Sequence, residues 1–150
     1  MAEMTLIEVD VNDLIPYENN PRKNEKAVAA VAASIREFGF LRPIIVDENY
    51  VIISGHTRRL AALELGLKTV PVHVAHDMSE AQARAYRVID NRIAELATWD
   101  ADKLQEEIAQ IVGLDLSAFG FSDKMLQEAF EEDPDARPHV CPRCGCEFMG

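Results

Sequence analysis

Residues 50–66, YVIISGHTRRLAALELG, decide how this chain is read. Residues 50–54 are β-rich and apolar on both faces, which predicts a centrally placed strand. Gly55, His56 and Thr57 break that run, and residues 58–65 (RRLAALEL) read as a short helix stopped by Gly66. A glycine between a buried strand and a helix lets a ligand approach the backbone. The N–H groups of the first helical turn point outward unpaired, and an arginine in that turn adds a positive fork, so the segment predicts an oxyanion or phosphate cradle. A tight turn with solvated arginines is the plain alternative for the same residues.

Outward from that box, residues 43–47 pair with residues 50–54 as a hairpin turning at Glu48 and Asn49. Before it, Val28, Val31, Ala32, Ile35 and Phe38 recur at helical spacing over residues 25–38, with Asn24 as N-cap and Gly39 at the C-terminal end. Residues 4–9 form a short first strand, and Asn20-Pro21-Arg22 lies in the loop that follows. After the box, residues 70–74 form another strand, in which Pro71 predicts an edge position or the strand's first residues. Ser79 and Gln82 form a capping box that opens a long helix to about Ala97, with Ala83, Tyr86, Ile89, Ile93 and Leu96 as its apolar face. His73 and His76 read as structural or exposed.

The chain has 150 residues, 48% of them hydrophobic and 27% charged, which suits one compact domain with a small appendage. The net charge of −11 is unevenly placed. Residues 1–60 hold 9 acidic and 7 basic side chains, residues 61–99 hold 5 and 4, and residues 100–150 hold 12 and 4. The acidity therefore belongs to the last third. That balance argues against sequence-independent coating of DNA, which depends on phosphate attraction, and leaves a local anion site open. No apolar run approaches the ~18 residues of a membrane span, and the first residues lack a signal-peptide pattern, so a cytoplasmic protein is expected.

Gly55-His56-Thr57-Arg58, followed by Ala61-Ala62 and Gly66, resembles the G-x-x-R box of the ParB N-terminal domain and sulfiredoxin superfamily. The order of the Asn20-Pro21-Arg22 loop, the helix ending at Phe38-Gly39, the strand beginning Pro43-Ile44 and the hairpin fits as well. The resemblance covers roughly residues 4 to 98. It implies an α+β fold, a small mixed sheet with packed helices, in which the box helix holds the phosphates of a nucleotide. A short helical extension and a Cys-rich tail follow, giving residues 1–98 as the domain, 99–130 as an acidic helical extension, 131–138 as a linker and 139–150 as a knuckle-like tail. Sulfiredoxins carry their catalytic cysteine in the middle of this box, where this chain has His56 and Thr57, which speaks against that activity. The first cysteine of the chain is Cys141.

On the long helix, Asp90 and Asn91 supply oxygens and are flanked by Arg87 and Arg92. Alone, such residues form a solvated, salt-bridged helix face. Beside the resemblance, Asp90-Asn91 is similar to the acidic-Asn pair that holds magnesium in ParB domains, with Asp in place of Glu and a shifted arginine. The phrase DNRIAELA, residues 90–97, is closer to phage-borne ParB-like proteins and to leader domains of adenine or cytosine methyltransferases. By the same resemblance Arg22 reaches the triphosphate, joining Gly55, His56, Thr57, Arg58 and Arg59 as phosphate-binding residues. In the tail, Cys141, Cys144, Cys146 and His139 are four soft ligands within eight residues, half of a zinc ribbon. Reduced, unliganded cysteines are the alternative.

These features predict a module that binds a nucleoside triphosphate with Mg²⁺ and serves as an accessory in phage or plasmid DNA processing or partition. An NTPase would need a group to position water, for which Glu18 and Glu25 are candidates. A metal-dependent nuclease is the rival, and a non-catalytic scaffold the third reading. Full partition proteins carry a helix-turn-helix domain and a dimerisation domain that this sequence is expected to lack. The acidic helices are expected to meet a protein partner, contact with DNA to be indirect or weak, and a homodimer remains open.

Overall fold

The computed structural model describes residues 5–124, 139–140 and 147–148. A four-stranded sheet is built from β1 (Leu6–Asp10), β2 (Ile44–Val46), β3 (Ile52–Ser54) and β4 (Thr69–Val74) in the order β1-β4-β2-β3. β1 runs antiparallel to β4, β4 parallel to β2, and β2 antiparallel to β3, so the sheet is mixed as expected. The helices α1 (Glu25–Phe38), α2 (His56–Glu64) and α3 (Glu80–Leu96) pack around it. Ile44, Val46, Ile52, Val70 and Val72 are completely buried and join Val9, Val11, Leu14 and Ala62 in one core. Each such aliphatic side chain contributes about 1.5–3 kcal/mol through removal from water.

α1 has the expected limits. Gly39, at φ 81°, donates its N–H to Ile35 O at 2.9 Å and ends the helix. Asn24 occupies the N-cap, but its side chain makes no capping bond. The hairpin turn is held by Asp47, whose Oδ1 accepts from the N–H groups of Asn49 at 2.9 Å and Val51 at 3.0 Å. The capping box at α3 forms on both sides: Ser79 Oγ accepts from Gln82 N, and Gln82 Oε1 accepts from Ser79 N.

Four expectations are corrected. First, of the two places Pro71 allowed, the edge is ruled out: β4 lies inside the sheet, and Pro71 is the third residue of the strand. Ala75 N donates to Val46 O, so alternate amides of β4 on that side face β2, and the rung Pro71 would have made falls before Ile44, where β2 begins. Second, β3 is the edge strand. Its open side is taken instead by Ile15, which donates to Tyr50 O at 2.9 Å and accepts from Ile52 N at 2.8 Å, and by Arg87 Nε, which donates to Ile52 O at 3.1 Å. Third, α2 begins two residues earlier than the sequence reading, with Gly55 as its N-cap, so His56 and Thr57 belong to the helix. Fourth, the apolar stripe of α3 is covered only at its start: Ala83 is buried, but Ile89, Ile93 and Leu96 are more than half exposed, and the other buried residue is Arg87.

A 3-10 helix at Leu116–Phe119, not anticipated, brings Phe119 to 6.0 Å from the ring of Phe38. The chain divides into two compact units, one of the described residues up to Thr98 with Asp115–Gly120, the other of those in Trp99–Leu114 and Phe121–Gly150. The second unit holds α4 (Ala101–Gln110), capped by Asp100 accepting from Lys103 N at 3.2 Å, and the antiparallel pair β5 (His139–Val140) and β6 (Glu147–Phe148). Most of the expected second acidic helix, the 131–138 linker, and Cys141, Cys144 and Cys146 lie outside the described residues. Among the described residues no helix is long and apolar enough to cross a membrane.

Candidate functional site

β3 delivers the chain to Gly55 at the top of the sheet, and α2 starts there without a side-chain cap and without an acidic residue in its first turn. The leading N–H groups of α2 are therefore uncapped by any side chain, at the positive end of the helix dipole. Gly55 adopts φ 117°, a conformation that side chains resist. A Cβ there would stand 3.0 Å from Arg58 Nε and Nη2 and 3.1 Å from Ile44 Cγ1. The glycine thus lets the Arg58 guanidinium fold back across the turn. Arg58 Nη2 donates to Ser54 Oγ at 3.2 Å and Nη1 to Arg42 O at 3.4 Å, and no carboxylate of the described residues lies within ion-pair distance. Burial, and then the nearby Arg42, lower the pKa of Arg58, while Asp90 raises it.

Beside this turn opens a cleft of about 620 Å³, within the ~300–1,000 Å³ usual for small-molecule sites. Its walls come from the loop before α1 (Asn20, Arg22), the α1 end and the segment after it (Phe38, Arg42), the box (Ser54 to Arg58) and α3 (Arg87, Asp90, Asn91). Four arginines and one aspartate line it, a local excess of positive charge on an acidic chain.

His56 is held neutral. Its Nε2 accepts from Tyr17 N at 3.1 Å, so the proton of the neutral ring resides on Nδ1. Burial above all, followed by the charges of Arg87 and Arg59, pushes its pKa down to about 4. Arg22 and Asn91, 69 residues apart, meet: Arg22 Nη1 donates to Asn91 Oδ1 at 2.6 Å, and Asn91 Nδ2 donates to Arg87 O at 2.6 Å. Burial raises the pKa of Tyr86, the Asp90 carboxylate adds to the rise, and Arg42 opposes it.

The structure gathers Arg22, Gly55, His56, Thr57, Arg58, Asp90 and Asn91 at one cleft and leaves Arg59 off its walls. Arg59 Nε is buried without a hydrogen-bond partner in the described residues. Asn91 also faces the cleft, with Oδ1 accepting from Arg22 and Nδ2 donating to Arg87 O, which leaves Oδ1 one further lone pair. Glu18 and Glu25 do not line the cleft. His76 is exposed but has a carboxylate partner, Glu48 Oε1 at 3.0 Å, and His73 Nδ1 contacts Thr5 O at 3.3 Å. Arg42 and Tyr17 were missed: Arg42 reads as a loop cation until the fold brings it beside the box, and nothing in the spacing announces that Tyr17 will stack on Arg87 at 3.8 Å.

The family described as the ParB N-terminal domain matches residues 1–92. The chain belongs to that family. Among ParB-type relatives, it is 39% identical over 82 residues to a probable plasmid-partitioning protein ParB of Thermus thermophilus, covering 53% of this chain and 27% of that protein. It is 31% identical over 130 residues to stage 0 sporulation protein J of Bacillus subtilis, covering 75% of this chain and 46% of the relative. A ParB-like nuclease domain-containing protein of Escherichia coli, YnaK, is 37% identical over 73 residues, covering 48% of this chain and 84% of its own length. The chain thus spans about a quarter to a half of the length of the two partition-type relatives. In fold it is similar to a C-terminally truncated chromosome-partitioning protein ParB of Caulobacter crescentus complexed with CTP-gamma-S, with a TM-score of 0.62, 24% identity, and coverage of 83% of this chain and 76% of that one.

Proposed function

We propose that this ParB N-terminal domain binds a nucleoside triphosphate, CTP in the first instance, in the cleft beside Gly55. The observation that carries the reading is the uncapped start of α2, with Arg58 folded over Gly55 and no carboxylate of the described residues within ion-pair distance of it. In this reading the amides of His56, Thr57 and Arg58 and the Arg58 fork hold phosphates, and Arg22, positioned by Asn91, closes over them. The ParB neighbour complexed with CTP-gamma-S supports the choice of nucleotide.

A magnesium ion would enter with the nucleotide. Asp90 offers one carboxylate and Asn91 Oδ1 is engaged by Arg22, so this wall suits an ion held mainly by phosphate oxygens and water. Such an ion would neutralise phosphate charge. For the tail we propose zinc held by His139, Cys141, Cys144 and Cys146, four ligands within eight residues of sequence. In this reading the acidic extension after Thr98, less Asp115–Gly120, which belong to the first unit, offers exposed Asp102, Glu106 and Glu107 on α4 as the surface for a protein partner. The role is that of an accessory in plasmid or phage DNA processing or partition, consistent with the plasmid-partitioning relative.

Calorimetric titration of the full chain with each of the four ribonucleoside triphosphates, with and without Mg²⁺, tests the reading. CTP binding lost in Arg58→Ala is the expected outcome, and absence of binding by the wild type to any of them overturns it. Phosphate release and nicking of supercoiled DNA, run alongside, separate an NTPase or a nuclease from a binding module. The nuclease reading draws on YnaK, but the described residues hold no group of three or more His, Cys, Asp or Glu side chains fit to hold a metal.

A further inference from the structure

Arg87 is a buried cation with an incomplete set of partners. Its side chain is only 6% exposed, its Nε donates to Ile52 O at 3.1 Å, and its Cζ lies 3.8 Å from the centre of the Tyr17 ring. A guanidinium carries five N–H groups, and that one bond is the only one the Arg87 side chain makes in the described residues. No carboxylate of the described residues is within ion-pair distance. The exposed arginines of the same helix behave differently: Arg84 pairs with Glu80 and Arg92 with Glu95, each at 3.3 Å. Arg59 Nε is the one buried side-chain nitrogen without a partner among the described residues, so the terminal amino groups of Arg87 keep access to the cleft, where an anion can reach them. Arg87 lines the cleft.

We propose that Arg87 is a specificity-determining anion anchor whose terminal amino groups bind a polyphosphate from the α3 side while Arg58 binds it from the α2 side. The proposal rests on the nucleotide reading above and names the part of the ligand that α3 recognises. The geometry is prepared in advance. Tyr17 fixes the plane of the guanidinium, Ile52 O fixes its rotation, and Tyr17 is itself tethered through its N–H to His56 Nε2 at 3.1 Å. With Arg22, Arg42 and Arg58 opposed only by Asp90, the cleft suits several negative charges on one ligand. Lysine does not substitute, because it lacks both the planar stack and the fork.

The competing role is a strut that closes the edge of β3. The two are separated by titrating the full chain, as wild type, Arg87→Gln and Arg87→Lys, with inorganic triphosphate, CTP, CDP and cytidine, with circular dichroism as the check of folding. An anchor predicts that Arg87→Gln weakens triphosphate and CTP by about tenfold or more, weakens CDP less, and leaves cytidine unchanged. A folded Gln variant with wild-type affinity for triphosphate and CTP overturns the proposal, as does an equal loss for cytidine and CTP. Should the Gln variant not fold, Arg87→Lys decides: a loss of about threefold or more for CTP is expected, and wild-type affinity overturns it. A wild type that binds inorganic triphosphate but no nucleotide defeats the nucleotide reading and leaves the anchor in place; one that binds neither defeats both.

Discussion

One methyl group at position 55 is expected to cost the protein both stability and its hold on phosphate. In Gly55→Ala the new Cβ meets Arg58 Nε and Nη2 at 3.0 Å and Ile44 Cγ1 at 3.1 Å. The arginine end can move, but Ile44 is fully buried among core neighbours and cannot. Holding alanine at φ 117° adds backbone strain of about 1–3 kcal/mol, and expelling Arg58 from Ser54 Oγ removes a hydrogen bond of about 1 kcal/mol net. The combined loss is about 2–4 kcal/mol, which for a chain of this size lowers the melting temperature by roughly 4–16 °C. Differential scanning fluorimetry and CTP calorimetry on the same preparation read both effects. Arg58→Ala supplies the contrast: its melting temperature stays much closer to the wild type while binding is lost. A Gly55→Ala protein that melts with the wild type and binds CTP equally well would show that the turn has no need of glycine and that Arg58 does not lie across it.

The low pKa of His56 sets the sign of a pH effect: the folded state prefers the neutral ring, so its contribution is complete above pH 6.5 and is lost as pH falls towards about 4. Melting temperatures across that window should decline in the wild type and follow a flatter profile in His56→Asn; parallel profiles contradict the assignment. Arg22→Ala and Asn91→Ala should each weaken nucleotide binding, and their double mutant should lose less than the sum, because one bond of 2.6 Å joins them; strict additivity in calorimetry argues that the pair does not act together. Ser79→Ala removes half of the α3 capping box and should cost about 1 kcal/mol in urea unfolding, with CTP affinity retained.

Where local chemistry settles the outcome, the sequence was a sound guide. The limits of α1, the Ser79–Gln82 box and the strand–glycine–helix passage at Gly55 each depend on a few adjacent residues. Periodicity along α3 identified two different faces but could not say which one the sheet covers. Ile89, Ile93 and Leu96 made the apolar stripe look buried, whereas Arg87 turns inward because Ile52 O and the Tyr17 ring await it there. Those partners lie 35 and 70 residues away along the chain, beyond the reach of any spacing rule. Pro71 misled for a similar reason, since its harmlessness depends on where the neighbouring strand happens to begin. At the cleft, residues within the box were legible, whereas the contact of Arg22 with Asn91, 69 residues away along the chain, was not.

The start of α2 divides labour between main chain and side chain. Its amide donors belong to the path of the backbone after Gly55, so they persist whatever residue occupies position 57. Descendants of such a domain can therefore rewrite that side chain, and with it the chemistry presented to a captured anion, without rebuilding the means of capture.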